Sequence, residues 1–392
     1  MPNERTAVIT GLGSVSPFGK GVGVLWSGVS SGKRAIRPIT LFPSDGLRNR
    51  NAGEVEGYPP AAGAGEATRA LRFLLDAVDE ALSDAGLEPG VYDPRLCGTV
   101  VATNFGGMSA AESALTGRTP DLSGYDFAVN TARAAERAGF TGPSATLSLS
   151  CASGVAALVA ACELVRAGRA EVVLAAGYDE LSLFCYAGLS ALRAVSTADI
   201  TPFDANRAGT VFGEGAGVLV VESGEHARRR GARSYCRLAG GAVNNDAYHM
   251  TAPEKQGRGI RKLMELALAD AGVAPDGVQH INLHGTGTRY NDLIETRAVK
   301  GVFGDAAGRL VLTANKSMIG HTMGAAGSHE SICAIRSLVE GVVPPTVGIS
   351  EPDPECDLDY CADGPREMEM NCVLKNSYGI GGTNASVVFQ KL

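Results

Sequence analysis

The sequence predicts an α/β fold with a mixed or parallel sheet, and three observations carry that reading. Short runs rich in β-branched residues alternate with longer stretches of helical periodicity. Glycine is dense between them, 51 in 392 residues. Two segments also recur in the same order in the two halves of the chain.

The elements follow in order. A strand at 6–10 (TAVIT) precedes a glycine-punctuated turn, and the Gly-, Pro- and Ala-rich stretch 49–65 reads as a loop. A helix is expected at 67–85, then strands at 99–103 (TVVAT) and 145–149 (ATLSL). A helix at 154–167 is followed by strands at 171–175 (EVVLA) and 217–222 (GVLVVE). The second half alternates helix 259–271, strand 280–283, helix 292–302, strand 310–313, helix 327–340 and strand 386–390. The repeat lies in these elements: "SGVAALVAACELVRAG" (153–168) matches "AGSHESICAIRSLVEG" (326–341), and "GTVVATNFGG" (98–107) matches "VQHINLHGTG" (278–287). Two related halves, 1–235 and 236–392, account for this better than unrelated domains.

Bulk composition narrows the function. Hydrophobic residues make up 45% and aromatics 6%, so the core relies on Ala, Val and Leu in close contact. A net charge of −7 argues against a nucleic-acid surface. No apolar run is long enough to cross a membrane, and no N-terminal run resembles a signal peptide. Nine cysteines, an odd number standing mostly in apolar runs, read as reduced thiols of a cytoplasmic protein.

One of them stands apart. In "TLSLSCASGVAALVAAC" (146–162), Cys151 falls where strand gives way to helix. A helix N-terminus favours a thiolate, so the position suits a nucleophile. Of six histidines, His284 in "NLHGTGT" and His321 in "NKSMIGHTMGAAG" sit in Gly/Thr/Ser turns after strands, at ends that related halves bring to one centre. Lys316 precedes His321 by five residues. His226 reads as a solvated helix face, His280 and His329 as surface or helix positions, and His249, in "DAYHMTAP", as a residue more readily placed away from the site than near it. Cys and His also raise zinc, but Cys356, Cys361 and Cys372 lack a histidine spacing that completes a tetrad, so no metal is expected. "GLGSVSPFG" lacks the last glycine of a dinucleotide-binding turn.

Taken together these segments resemble the elongating β-ketoacyl-acyl-carrier-protein synthases of the thiolase superfamily. The resemblance runs nearly end to end through "VITGLGSVSPFG", "SCASG", "PFDANRAGTVFGEGAGVLVVE", "HGTGT", "KSMIGH" with "GAAG", and "GIGGTN". It implies a thiolase fold of five layers, αβαβα, and a decarboxylative Claisen condensation. Cys151 would carry the acyl chain. His284 and His321 would donate to the malonyl thioester oxygen, and the backbone N–H groups of Cys151 and Tyr378 would form a second oxyanion hole. Lys316, beside Glu330, would hold His321 in one tautomer rather than act as a base. Thr286 and Thr288 would hold the phosphopantetheine arm, with Phe105, Tyr378 and Ile380 along the substrate path. Asp204, Arg207 and Glu214 would form structural ion pairs.

The same resemblance implies no resident cofactor, since phosphopantetheine arrives on the acyl carrier protein. It implies a dimer, either of identical chains or with a ketosynthase-like chain-length factor. A chain of the latter kind without catalysis usually lacks the cysteine, which is present here. Arg289 and Tyr290 after "HGTGT", Ile380 in "GIGGTN", and a shortened 106–144 segment depart from the housekeeping pattern. That segment is expected at the dimer interface and the acyl-pocket floor. These departures lean toward a polyketide or polyene pathway, with fatty-acid elongation as the alternative.

Overall fold

The computed structural model describes residues 6–59, 67–88, 90–118 and 122–392. Ten strands make up most of an eleven-stranded sheet. The first half contributes β1 (Ala7–Ser16), β2 (Cys97–Ala102), β3 (Ser144–Leu147), β4 (Val172–Asp179) and β5 (Gly215–Ser223). The second contributes β6 (Cys236–Asn245), β7 (His280–Asn282), β8 (Val311–Thr313), β9 (Cys372–Tyr378) and β10 (Thr383–Gln390). Their spatial order is β8-β7-β9-β10-β6-β1-β5-β4-β2-β3. From the centre outward, each half therefore places its strands first, fifth, fourth, second, third. The pairings also match: first with fifth and fifth with fourth run antiparallel, fourth with second and second with third parallel. The halves join where β1 pairs antiparallel with β6, Ala7 opposite Leu238 and Ile9 opposite Cys236.

Six helices complete the layers: α1 (Arg69–Ala85), α2 (Phe127–Ala138), α3 (Ser153–Arg166), α4 (Arg258–Ala271), α5 (Arg289–Phe303) and α6 (Ala326–Glu340). α3 and α6 lie in the middle, where Val155, Leu158, Ile332 and Ile335 share one apolar cluster with Ile9, Leu219, Val387 and Phe389 of both halves. A helix covered on both sides must be apolar nearly all round, which is why α3 is built from Ala, Val and Leu. α1 and α2 cover the outside of the first half, α4 and α5 that of the second. α1 needs only one apolar stripe: Thr68 caps it by accepting the Leu71 N–H, and Gly86 ends it in a left-handed turn. The central helices touch at matching positions. A Cβ on Gly154 would meet the Ser328 nitrogen at 2.7 Å, and one on Gly327 the Val155 nitrogen at 2.6 Å.

The structure departs from the sequence expectations in places. β1 runs on through "GLGSVS" to Ser16 instead of turning. A Cβ on Gly13 would lie 1.9 Å from the Ala77 carbonyl oxygen, and one on Gly11 2.3 Å from that of Ala81. These glycines let α1 lie against the strand. β6 and β9 were not foreseen, nor were α2 and the helices Val22–Ser30, Met108–Leu115 and Leu183–Ala191. The 49–65 stretch contributes one short strand, Asn51–Ala52, which pairs antiparallel with Arg37–Pro38, and residues 60–66 lie outside the described residues.

Three histidines are buried: His226, expected on a solvated face, and His280 and His329, expected at surface or helix positions, of which His329 does lie on a helix, α6. His226 Nδ1 meets Glu222 Oε1 at 2.5 Å. His280 Nδ1 meets the Val311 carbonyl at 2.7 Å. His329 Nε2 lies 3.0 and 2.9 Å from the Val15 and Ala216 carbonyls, which tethers α6 to β1 and β5. Each ring bonds a group that packing had already brought within reach.

Candidate active site

The strand-to-helix turn that carries Cys151 is strained and then locked. Ser150 takes φ 50°, a left-handed value rare for a residue with a side chain. The Ser153 hydroxyl accepts the Leu149 N–H at 2.8 Å and donates to the Ser150 carbonyl at 2.6 Å. Cys151 thus precedes α3 by two residues and borders a cavity of about 670 Å³, a size suited to a ligand with an alkyl or acyl chain. Its thiol departs from the thiolate expected at such a position. Burial pushes it up to about 11, against the opposing pull of Lys316 and of the Ile380 and Cys151 N–H groups.

His284 follows β7. Glu295 on α5 accepts the N–H groups of His284 and Gly285 at 2.8 and 2.9 Å, and burial holds its carboxyl up to about 7. Lys316, on the single turn Lys316–Ile319, donates to the His284 carbonyl at 2.6 Å and lies 3.3 Å from Nδ1. An ammonium can only donate, so Nδ1 accepts and the ring proton sits on Nε2.

His321 follows Gly320, which turns the chain at φ 72°. Its Nδ1 accepts the Met323 N–H at 3.1 Å, so this ring also carries its proton on Nε2. That Nε2 is buried without a protein partner. The two rings stand 5.5 Å apart at 87°, and His321 also stacks on Phe212. Burial, and then the charge of Lys316, hold both imidazoles well below their usual range. The site therefore holds two neutral N–H donors bordering the cavity of Cys151.

Two expectations need correction. Lys316 fixes the tautomer of His284, not of His321, because its side chain runs beneath the His284 turn while the Met323 N–H serves His321. The second N–H facing the sulfur is that of Ile380, not Tyr378. β9 ends at Tyr378, Gly379 is tied to the Thr383 carbonyl at 2.6 Å, and the turn presents the next amide to Cys151. The Tyr378 ring instead packs 5.5 Å from that of His284.

Other anticipated residues fall as follows. Glu330 on α6 is fully buried and pairs with Lys316 at 2.5 Å. Thr286 and Thr288 share a hydroxyl–hydroxyl bond of 2.9 Å on the cavity wall, which Phe105 and Ile380 also line. His249 does not line the cavity; its Nδ1 accepts the Thr251 and Ala252 N–H groups and shapes the rim. Arg207 pairs with Asp353 at 2.6 Å, Glu214 with Arg69, and Asp204 accepts the Ser350 and Glu351 N–H groups. Among the described residues of 106–144, none lines the cavity of the single chain.

Two buried charges were missed. Asp179, the last residue of β4, accepts the Thr103 hydroxyl at 2.6 Å and the N–H groups of Phe105, Gly106 and Gly324 at 2.8, 2.9 and 2.6 Å. It ties the loop after β2 to the turn after His321. A carboxylate ending an apolar strand, in "VVLAAGYD", was the available signal. Lys375, inside β9, pairs with the second oxygen of Glu330 at 2.6 Å. A lysine amid "VLKNSY" was its signal.

Residues 4–227 match the family description "Beta-ketoacyl synthase, N-terminal domain", and residues 235–350 match "Beta-ketoacyl synthase, C-terminal domain". The chain belongs to the beta-ketoacyl synthase family. This synthase is 33% identical to 3-oxoacyl-[acyl-carrier-protein] synthase 2 of Coxiella burnetii, over 99% of each chain. Its fold superposes with TM-score 0.94, at 32% identity and 100% coverage of both chains, on a type II polyketide synthase ketosynthase. That structure holds the acyl-carrier protein in complex with its ketosynthase bound to the hexaketide. It superposes with TM-score 0.93, at 31% identity over 99% of this chain and 100% of the other, on the ishigamide ketosynthase/chain length factor. The architecture is that thiolase-type fold, and the enzyme is an acyltransferase that forms a carbon–carbon bond. Among the described residues, no group of three His, Cys, Asp or Glu side chains could hold a metal ion, and no helix is long and apolar enough to cross a membrane.

Proposed function

We propose that the synthase joins a Cys151-bound acyl chain to a malonyl unit delivered on an acyl carrier protein. The observation that carries this is the convergence, on one cavity, of Cys151 with two neutral imidazoles whose ring protons both sit on Nε2. Both oxyanions of a decarboxylative condensation need preorganised donors, and the site supplies two pairs.

The Cys151 sulfur attacks the carrier-bound acyl thioester, with the developing oxyanion at the N–H groups of Cys151 and Ile380. The proton of the thiol ends on the departing pantetheine sulfur. Malonyl thioester then enters and loses CO₂. The electron pair of the broken bond becomes an enolate whose oxygen accepts Nε2–H of His284 and His321. Its carbon attacks the Cys151 thioester, the second tetrahedral oxyanion forms in the same backbone hole, and Cys151 leaves as thiolate. A proton from solvent restores the thiol. Lys316 and Glu330 fix His284, and Thr286 and Thr288 offer hydroxyls to the pantetheine amides. No resident cofactor takes part, since phosphopantetheine travels on the carrier. The division at 235/236 separates a nucleophile half from a histidine half.

The working form is a dimer of identical chains or a pair with a ketosynthase-like chain-length factor. The likeness to the hexaketide-bound and ishigamide ketosynthases supports a polyketide pathway, of which a polyene chain is one form, in the cytoplasm, where nine free thiols stay reduced. The likeness to the Coxiella burnetii enzyme supports the alternative, fatty-acid elongation. Mass spectrometry after incubation with acyl-carrier protein tests the reaction: the acyl mass is expected on Cys151, and its appearance on another cysteine overturns the assignment. Co-purification tests the pathway. A homodimer that elongates saturated chains at full rate decides for fatty acids.

A further inference from the structure

Lys375 lies inside β9 with its side chain fully buried. Its ammonium is 2.6 Å from Glu330 Oε2, donates to the Leu283 carbonyl at 3.3 Å, and also reaches the Asn376 carbonyl. Lys316 takes the other Glu330 oxygen and the next carbonyl along, that of His284. Lys316 and Glu330 alone would be a closed neutral pair. With Lys375 added, three buried groups carry two positive charges and one negative below about pH 8, the value to which burial lowers the Lys375 ammonium.

An extra ammonium taken out of water is strongly unfavourable unless its charge meets something. The groups facing the cluster are few. α5 presents Glu295, α6 presents Glu330 and the thiol of Cys333, the turns present His284 and His321, and β9 itself presents Tyr378. Glu295 adds a negative charge only as the pH rises through about 7. The remaining positive charge therefore lies beneath the imidazoles, in a site where low dielectric lets it act at a distance.

We infer that Lys375 is a positioning residue for decarboxylation: it anchors the peptide that leads into His284 and supplies the uncompensated positive charge that favours a negative thioester oxygen. This rests on the condensing reaction proposed above. The charge acts in two ways. It stabilises the enolate as the carboxylate carbon leaves, and it opposes protonation of both rings, whose Nδ1 atoms must stay free to accept from Lys316 and Met323.

The test follows CO₂ release from malonyl-carrier protein by full-length enzyme already acylated on Cys151, across pH. Lys375→Met is expected to lower kcat at least about tenfold, with KM for malonyl-carrier protein within about twofold and the acid limb moved to higher pH. Acylation of Cys151 should change by less than about threefold, because Lys375 itself bonds Glu330 and the Leu283 carbonyl rather than any group that holds the sulfur. Lys375→Gln, which keeps an amide donor but no charge, carries the same expectation should Lys375→Met fail to fold. The decisive variant is Lys375→Met with Glu330→Gln, which returns the trio to one net positive charge. It should release CO₂ faster than Lys375→Met and move the acid limb back toward wild type. A double variant slower than the single, or a Lys375 variant with wild-type kcat and pH profile, overturns the inference. The unmutated enzyme gives an independent reading: ¹⁵N shifts should keep His284 and His321 neutral as the pH falls through 6.5, and titration at 6.5 overturns the inference as well. If wild-type enzyme forms no Cys151 adduct or releases no CO₂, the proposed reaction fails instead.

Discussion

The two sides of the cavity solve different problems with different materials. On the nucleophile side, Cys151 is held by a strained turn, a serine hydroxyl and backbone amides, with Asp179 as the carboxylate that fixes the neighbouring loops. On the histidine side, the rings stand over Lys316, Glu330, Lys375 and Glu295, all buried and ionisable. A sulfur that must gain and lose an acyl group needs a permissive, polarisable setting. Proton donors that meet a developing enolate need fixed tautomers, and charges buried at short range fix them. Acyl transfer and decarboxylation should therefore be separable by mutation.

The largest expected effect is that of Cys151→Ala. No acyl adduct should form and condensation should fall by more than about 10⁴-fold, while CO₂ release from malonyl-carrier protein persists. Loss of both activities together would break the comparison. His321→Ala should do the reverse, lowering CO₂ release about 10²- to 10³-fold with acylation within about threefold, as measured on pre-acylated and free enzyme respectively. An equal fall in both would make His321 part of the acylation machinery. A smaller effect is one of pH. The free thiol has its pKa pushed up to about 11, so iodoacetamide labelling of Cys151 should rise about tenfold per pH unit through the neutral range. A plateau near neutrality would mean that the sulfur is already a thiolate. The smallest is Cys162→Ala on α3, where acylation should stay within about twofold. Cys162 is buried, and burial pushes its thiol up to about 12, so it is a packing residue on the nucleophile's own helix.

The sequence made the architecture and the reacting groups readable where one force dominated. Apolar strands such as "VVLA" and "GVLVV" and the Ala-rich α3 follow from burial alone. β6 was missed because Gly240, Gly241, Asn244 and Asn245 weaken a strand signal. There the glycines are required by contact: a Cβ on Gly240 would lie 2.5 Å from the Ala271 nitrogen of α4. β9 was missed because Lys375 and Asn376 interrupt its apolar run, and the same interruption brings a charge to Glu330. The burial of His226, His280 and His329 was not legible, because local composition does not reveal which carbonyls or carboxylates a fold will bring against a ring. The Lys316 partner was misassigned for a related reason: five residues of separation suggested His321, whereas the helical turn aims the ammonium across to His284, thirty-two positions away. Ile380 was read as a wall of the substrate path, but its contribution to the oxyanion hole is an amide, which side-chain identity cannot signal.

Gly154 and Gly327 hold corresponding places in the two repeats and meet across the middle of the molecule, each against the residue that follows the other. That is the signature of a two-fold axis, where a surface packs on its own copy. A single half associating with an identical half about the same axis would have met this steric demand with one glycine codon. The present chain must keep two, and they are free to diverge only in step. Everything further from the axis escaped that bond: one repeat could acquire a cysteine at its third strand end while the other acquired a histidine.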